Sequence, residues 1–88
     1  MEFESTPIFD KDTKKLDKNE RKLLRELLER IRQQPETGKP MGHYFNVFSK
    51  RTQHRRLIYQ IKQQEGKIIL LLYENRDEAY ETLRKIRL

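Results

Sequence analysis

The chain has 88 residues, 34% of them hydrophobic and 39% charged, with a net charge of +6 and no cysteine. That bounds it to one domain with a thin core and excludes a disulfide framework and a thiolate metal site. No apolar run approaches the ~20 residues that span a bilayer, and the N-terminus lacks a signal peptide's basic start and apolar middle, which predicts a cytoplasmic protein.

Residues 1–4 predict a short first strand with Phe3 turned inward. Ser5-Thr6-Pro7 is a helix start, because a hydroxyl side chain caps orphan amides and proline fits a first turn where its missing N–H has no partner. That helix runs to about Leu16 and buries Ile8, Phe9 and Leu16. Asp17, followed three residues later by Glu20, reads as a capping box, one carboxylate accepting from the first turn and the other reaching back. Beyond it Leu23, Leu24, Leu27, Leu28 and Ile31 fall on one face of a second helix. The opposite face (Arg21, Lys22, Arg25, Glu26, Glu29, Arg30 and Arg32) is mixed in sign and reads as solvated surface.

Residues 33–42 contain two prolines and two glycines and predict a loop from helix to sheet. Three strands follow at 44–50, 55–63 and 67–74. The first two alternate apolar with polar residues, whereas Lys67-Ile68-Ile69-Leu70-Leu71-Leu72-Tyr73-Glu74 is apolar on both faces, as a covered central strand must be. Gln64-Glu65-Gly66 reads as a tight hairpin turn. Asn75 with Glu78 is another capping pair, opening a last helix through Ala79, Leu83 and Ile86. The expected fold is α+β: a small antiparallel β-sheet with two N-terminal helices packed on one face and a short C-terminal helix. In the second strand, Leu57, Tyr59 and Ile61 face the helices, and Arg56, Ile58 and Gln60 face the open side.

Charge is unevenly placed. Residues 1–34 hold nine basic and eight acidic groups, residues 35–62 six and one, and residues 63–88 five and five. Lys50, Arg51, Arg55 and Arg56 crowd around the first hairpin turn, where like charges on paired strands repel. A localised basic stripe of this kind is the footprint of a surface for phosphate or for an acidic protein segment. His43 and His54 are candidate general bases because imidazole titrates near neutrality, although a lone histidine in a turn is more often an ordinary surface residue. Neither their number nor their spacing suits zinc.

The element order, together with Tyr44-Phe45-Asn46-Val47-Phe48-Ser49-Lys50-Arg51 and Arg56-Leu57-Ile58-Tyr59-Gln60-Ile61, resembles the RelE/ParE superfamily of toxin–antitoxin toxins, nearest its RelE and YoeB branches. Ile8-Phe9-Asp10-Lys11-Asp12-x-Lys14-Lys15-Leu16 is similar to the family's first helix, and Arg76-x-x-x-Tyr80 to its C-terminal arginine–tyrosine spacing. The resemblance implies a single RelE-like domain over residues 1–88. It also implies a ribosome-dependent endoribonuclease that cleaves mRNA without metal or cofactor, neutralised by a cognate antitoxin protein. Its partners would be the ribosome, mRNA and that antitoxin, with no membrane involved.

In such chemistry a ribose 2′-hydroxyl attacks its own phosphate, so a group must take the proton, charge on the phosphoryl oxygens must be offset, and the 5′-oxygen must leave. By resemblance Arg56 holds the scissile phosphate, and Tyr80 stacks on a base or moves a proton. Glu74 stands where the family commonly carries a basic residue and becomes a candidate carboxylate base; His54 completes the expected catalytic set. Lys50, Arg51, Arg55, Arg76 and His43 are the expected RNA contacts. Asn46 and Phe48 occupy strand positions where RelE places lysines. Two other readings follow from these departures and from the superfamily: a catalytically inactive RNA- or antitoxin-binding protein, and a ParE-like gyrase inhibitor.

Overall fold

Each helix begins at a side chain that satisfies its first orphan amides. In the computed structural model, which describes residues 1–88, Thr6 Oγ1 accepts from the Phe9 amide, Asp17 Oδ1 from Glu20 and Asn75 Oδ1 from Glu78. These caps open α1 (Pro7–Lys14), α2 (Lys18–Gln33) and α3 (Arg76–Lys85) at the three predicted places, each cap contributing about 1 kcal/mol. The capping box at Asp17 is not completed, because the Glu20 carboxylate turns instead to Arg55.

Five strands, β1 (Glu2–Ser5), β2 (Lys39–Pro40), β3 (Val47–Arg51), β4 (Arg56–Lys62) and β5 (Lys67–Glu74), form one sheet in the order β1-β5-β4-β3-β2. β3, β4 and β5 are the expected antiparallel meander. β1 pairs with β5 in parallel, so the sheet is mixed. That arrangement lets β1 and β5 deliver the chain at the same end of the sheet, into α1 and α3. β3 starts at Val47 rather than at residue 44, because Asn46 lies in the left-handed region at φ 55° and interrupts the extended backbone. Between β4 and β5 the expected tight turn is one turn of 3₁₀ helix, Gln63–Glu65, closed by Gly66 at φ 65°.

Both faces of the sheet are covered. On one, Phe9, Leu16, Leu24, Leu27 and Ile31 meet Leu57, Tyr59, Ile61, Ile68, Leu70 and Tyr73. On the other, Ala79 and Leu83 of α3 meet Val47, Ile58, Leu71 and Leu72. Ile58, expected on an open side, is fully buried beneath α3, and only Arg56 and Gln60 of that set stay half-exposed. Along β5 the pairing slips by one residue: Ile58 faces Leu72 and Tyr59 faces Leu70, leaving Leu71 over. Leu71 and Leu72 therefore both point to α3, and Tyr73 returns to the α2 side. Every buried side-chain polar atom has a hydrogen-bond partner, and no helix is long and apolar enough to cross a membrane.

Candidate nucleic-acid interface

β3 and β4 join through a turn at 52–55 that contains neither glycine nor proline; the Thr52 amide closes it on the Arg55 carbonyl at 2.9 Å. Arg51 and Arg56 are direct cross-strand neighbours at its base. Arg56 is held from two sides: its Cζ lies 5.5 Å from the centroid of the Tyr80 ring, and its Nη1 donates to Ser49 Oγ at 3.3 Å. A guanidinium over an aromatic face is attracted by the ring quadrupole, so α3 supplies a platform that holds Arg56 against its repulsion from Arg51.

Two grooves meet at this pair. The larger, about 410 Å³, runs along the edge of β3 past the short β2 and is lined by Arg30, Lys39, Ser49, Lys50, Arg51 and Arg56 among others. The smaller, about 150 Å³, lies over the turn between Arg51, His54, Arg55, Arg56 and Arg76. Together their walls carry seven basic residues and no acidic one. A concave surface with one sign of charge focuses its field on an anionic ligand.

Of the expected site residues, Arg56, Tyr80, Arg51, Lys50, Arg76 and His54 gather around these grooves. Arg55 lines the smaller groove, but its Nε donates to Glu20 Oε2 at 3.0 Å, and its Cζ sits 5.9 Å from the Tyr73 ring centroid. Glu74 is the register partner of Arg56 across the sheet, yet its carboxylate accepts from Thr82 Oγ1 at 2.6 Å and lines neither groove. Burial raises the Glu74 carboxyl above its ordinary value; Thr82 opposes this, and the neighbouring Asp12 adds to it. His43 is exposed on the segment before β3 and takes no part in either groove. Burial likewise raises the phenols of Tyr59 and Tyr73.

Sequence reasoning missed Arg30, Lys39 and Ser49. Arg30 belongs to a helix face that reads as mixed-sign surface, and Lys39 to a two-residue strand with no pattern to betray it. Gly38 beside Lys39 is required by space: a Cβ there would stand 2.5 Å from Tyr59 Oη and 3.0 Å from Phe48 Cβ. This close approach of the loop to the sheet sets the floor of the larger groove.

No protein-family model matches the sequence, and no curated protein matches it. Solved structures do. The isolated RelE toxin of E. coli superposes with a TM-score of 0.75 over 96% of this chain and 95% of that one, at 20% identity. The intact E. coli RelBE toxin–antitoxin complex gives 0.77 over 85% and 95%, at 15% identity. A metal-bound toxin from Helicobacter pylori gives 0.70 over 89% and 97%, at 26% identity. The chain thus has the fold of the RelE toxins, built on a five-stranded mixed sheet with three helices.

Proposed function

We propose that this chain is the toxin of a toxin–antitoxin pair, an endoribonuclease that inhibits translation by cleaving mRNA on the ribosome in the cytoplasm until a cognate antitoxin covers it. The observation that carries the reading is the placement of Arg56 at the junction of two grooves whose charged residues are all basic, backed by Tyr80 and Ser49. RNA lies across the junction with its backbone along Lys39, Lys50 and Arg51. Arg56 presents a planar fork to two oxygens of the scissile phosphate. The 2′-hydroxyl oxygen bonds to phosphorus, the bond to the 5′-oxygen breaks, and a cyclic phosphate forms. In this reading His54, on the rim of the smaller groove, takes the 2′ proton, and Arg76, which lines the same groove, offsets charge on the 5′-oxygen as it leaves and is protonated from water. Glu74 in this reading fastens α3 to the sheet through Thr82.

The test is mapping of cuts in mRNA undergoing translation. Arg56→Ala should lower the cleavage rate by about 10²- to 10³-fold, the scale of removing one preorganised donor to a developing charge. Intact mRNA with the parent protein refutes the reading, and double-strand breaks in DNA in its place would point to gyrase. A second reading, RNA binding without cleavage, is favoured by one observation: the only carboxylate paired across the sheet with Arg56 is turned away to Thr82. Both readings require that affinity for single-stranded RNA fall by about 3 to 4 log units per tenfold rise in salt if about five cations engage phosphates. RNA that stays intact under that binding selects the second.

A further inference from the structure

We propose that Glu20, Arg55 and Tyr73 form a brace that fixes the turn at 52–55, which makes Glu20 a positioning residue for RNA binding although its charge is wrong for touching RNA. The inference rests on the RNA-binding reading above and adds to it the groups that hold the basic turn in place.

The turn reads Thr52-Gln53-His54-Arg55 and is flanked by Arg51 and Arg56. Nothing in its backbone chemistry restricts it, and the cations at its base repel one another. It is nevertheless attached at two points beyond its own closing bond. Thr52 Oγ1 shares a hydrogen with Tyr73 Oη at 2.7 Å, from a residue 21 positions away. Arg55 Nε donates to Glu20 Oε2 at 3.0 Å, 35 positions away, with the guanidinium over the same Tyr73 ring. Both anchors are themselves rigid. Tyr73 is 1% exposed within the core, and Glu20 lies in the first turn of α2, where its amide is capped by Asp17. Arg55 is thereby committed to the protein, and Arg51 and Arg56 are left free to face the grooves in a set geometry.

Charge and position predict opposite signs for the same substitution. Coulomb attraction alone says that removing the Glu20 carboxylate, which raises local positive charge, tightens RNA binding. The brace says that removing it loosens the turn, so RNA must pay to order it and binds more weakly. The experiment compares the parent, Glu20→Ala and Glu20→Gln by fluorescence anisotropy with a short labelled single-stranded oligoribonucleotide, and by hydrogen exchange at the Thr52 amide. Glu20→Ala should bind about 3- to 10-fold more weakly, the scale of ordering one or two long side chains, and should exchange faster at Thr52. Glu20→Gln keeps an acceptor of the same reach and should return both readouts to near the parent, although it removes the same charge. Both variants place good helix formers in α2, so its folding is not at issue.

Equal or tighter binding by Glu20→Ala overturns the proposal, as does unchanged exchange at Thr52. Binding by Glu20→Gln as weak as by Glu20→Ala overturns it too. A parent protein that leaves the oligonucleotide unbound overturns the RNA reading and the positioning role with it, while the exchange comparison still decides whether the brace exists.

Discussion

Gly38→Ala is the sharpest test of how the loop before β2 closes on the sheet. The added Cβ would stand 2.5 Å from Tyr59 Oη, 3.0 Å from Phe48 Cβ and 3.2 Å from the Ser49 carbonyl oxygen. None of the three yields easily. Tyr59 is fully buried and donates to the Pro35 carbonyl at 2.6 Å, Phe48 is stacked on it at 5.8 Å between centroids, and the Ser49 carbonyl belongs to β3. Relief requires either a shift of the loop or displacement of the phenol. Overpacking of this kind costs about 1–3 kcal/mol, and a stretched or lost Tyr59 hydrogen bond adds about 1 kcal/mol. A total of about 2–4 kcal/mol is a large part of the stability of an 88-residue domain, about 4–13 kcal/mol. The midpoint of thermal unfolding followed by circular dichroism should fall by about 10–20 °C. Tyr59→Phe removes the nearest obstructing atom, so in that background Gly38→Ala should cost less than it does alone. A shift in midpoint under about 2 °C, or strict additivity in the double variant, would refute the reasoning.

Other expectations concern α3 and its contacts. The Glu74 carboxyl titrates above its ordinary value, chiefly through burial, so the folded state holds more protons than the unfolded one between the two values, and stability falls as pH rises through that window. Glu74→Gln keeps an acceptor for Thr82 and removes the charge; its melting midpoint should exceed the parent's at pH 7, with the gain vanishing below about pH 4. A difference independent of pH would contradict this. At Tyr80, substitution by Phe keeps the ring under Arg56 and should leave RNA affinity near the parent's, whereas Leu should weaken it by about 2- to 5-fold, the worth of an exposed cation–π contact. Equal affinities for the two variants, measured by anisotropy, would show that the ring face does not hold the arginine.

What could be read from the sequence was what short-range chemistry encodes. The three caps at Thr6, Asp17 and Asn75, the apolar face of α2 and the full extent of β5 were legible because each depends on neighbours within a few positions. β2 was not, since Lys39–Pro40 has only two residues and no period. The start of β3 was misread because Tyr44-Phe45-Asn46-Val47 alternates like a strand while the backbone of Asn46 turns left-handed. At the basic hairpin the crowding of charge was evident from composition. The division of labour within it was not, because the pairing of Arg55 with Glu20 and of Thr52 with Tyr73 is set by which elements meet in space. Ile58 was assigned to an open face because the sequence says that α3 exists and not where it lies.

The extra residue at Leu71 has a consequence for how this sheet tolerates change. It divides β5 into two segments of opposite phase: up to Leu70 the strand alternates to fit the hydrophobic layers, and beyond it the alternation is reset so that Tyr73 reaches Thr52 while Glu74 shares the side of Arg56. A deletion of that single residue would let Leu72 follow Leu70 in plain alternation, so that Ile58 still faces Leu72 while Tyr73 and Glu74 keep the sides they now occupy. The bulge thus absorbs one surplus residue, and its loss would remove a leucine from the layer beneath α3 while both the core and the functional end of the sheet keep their facing.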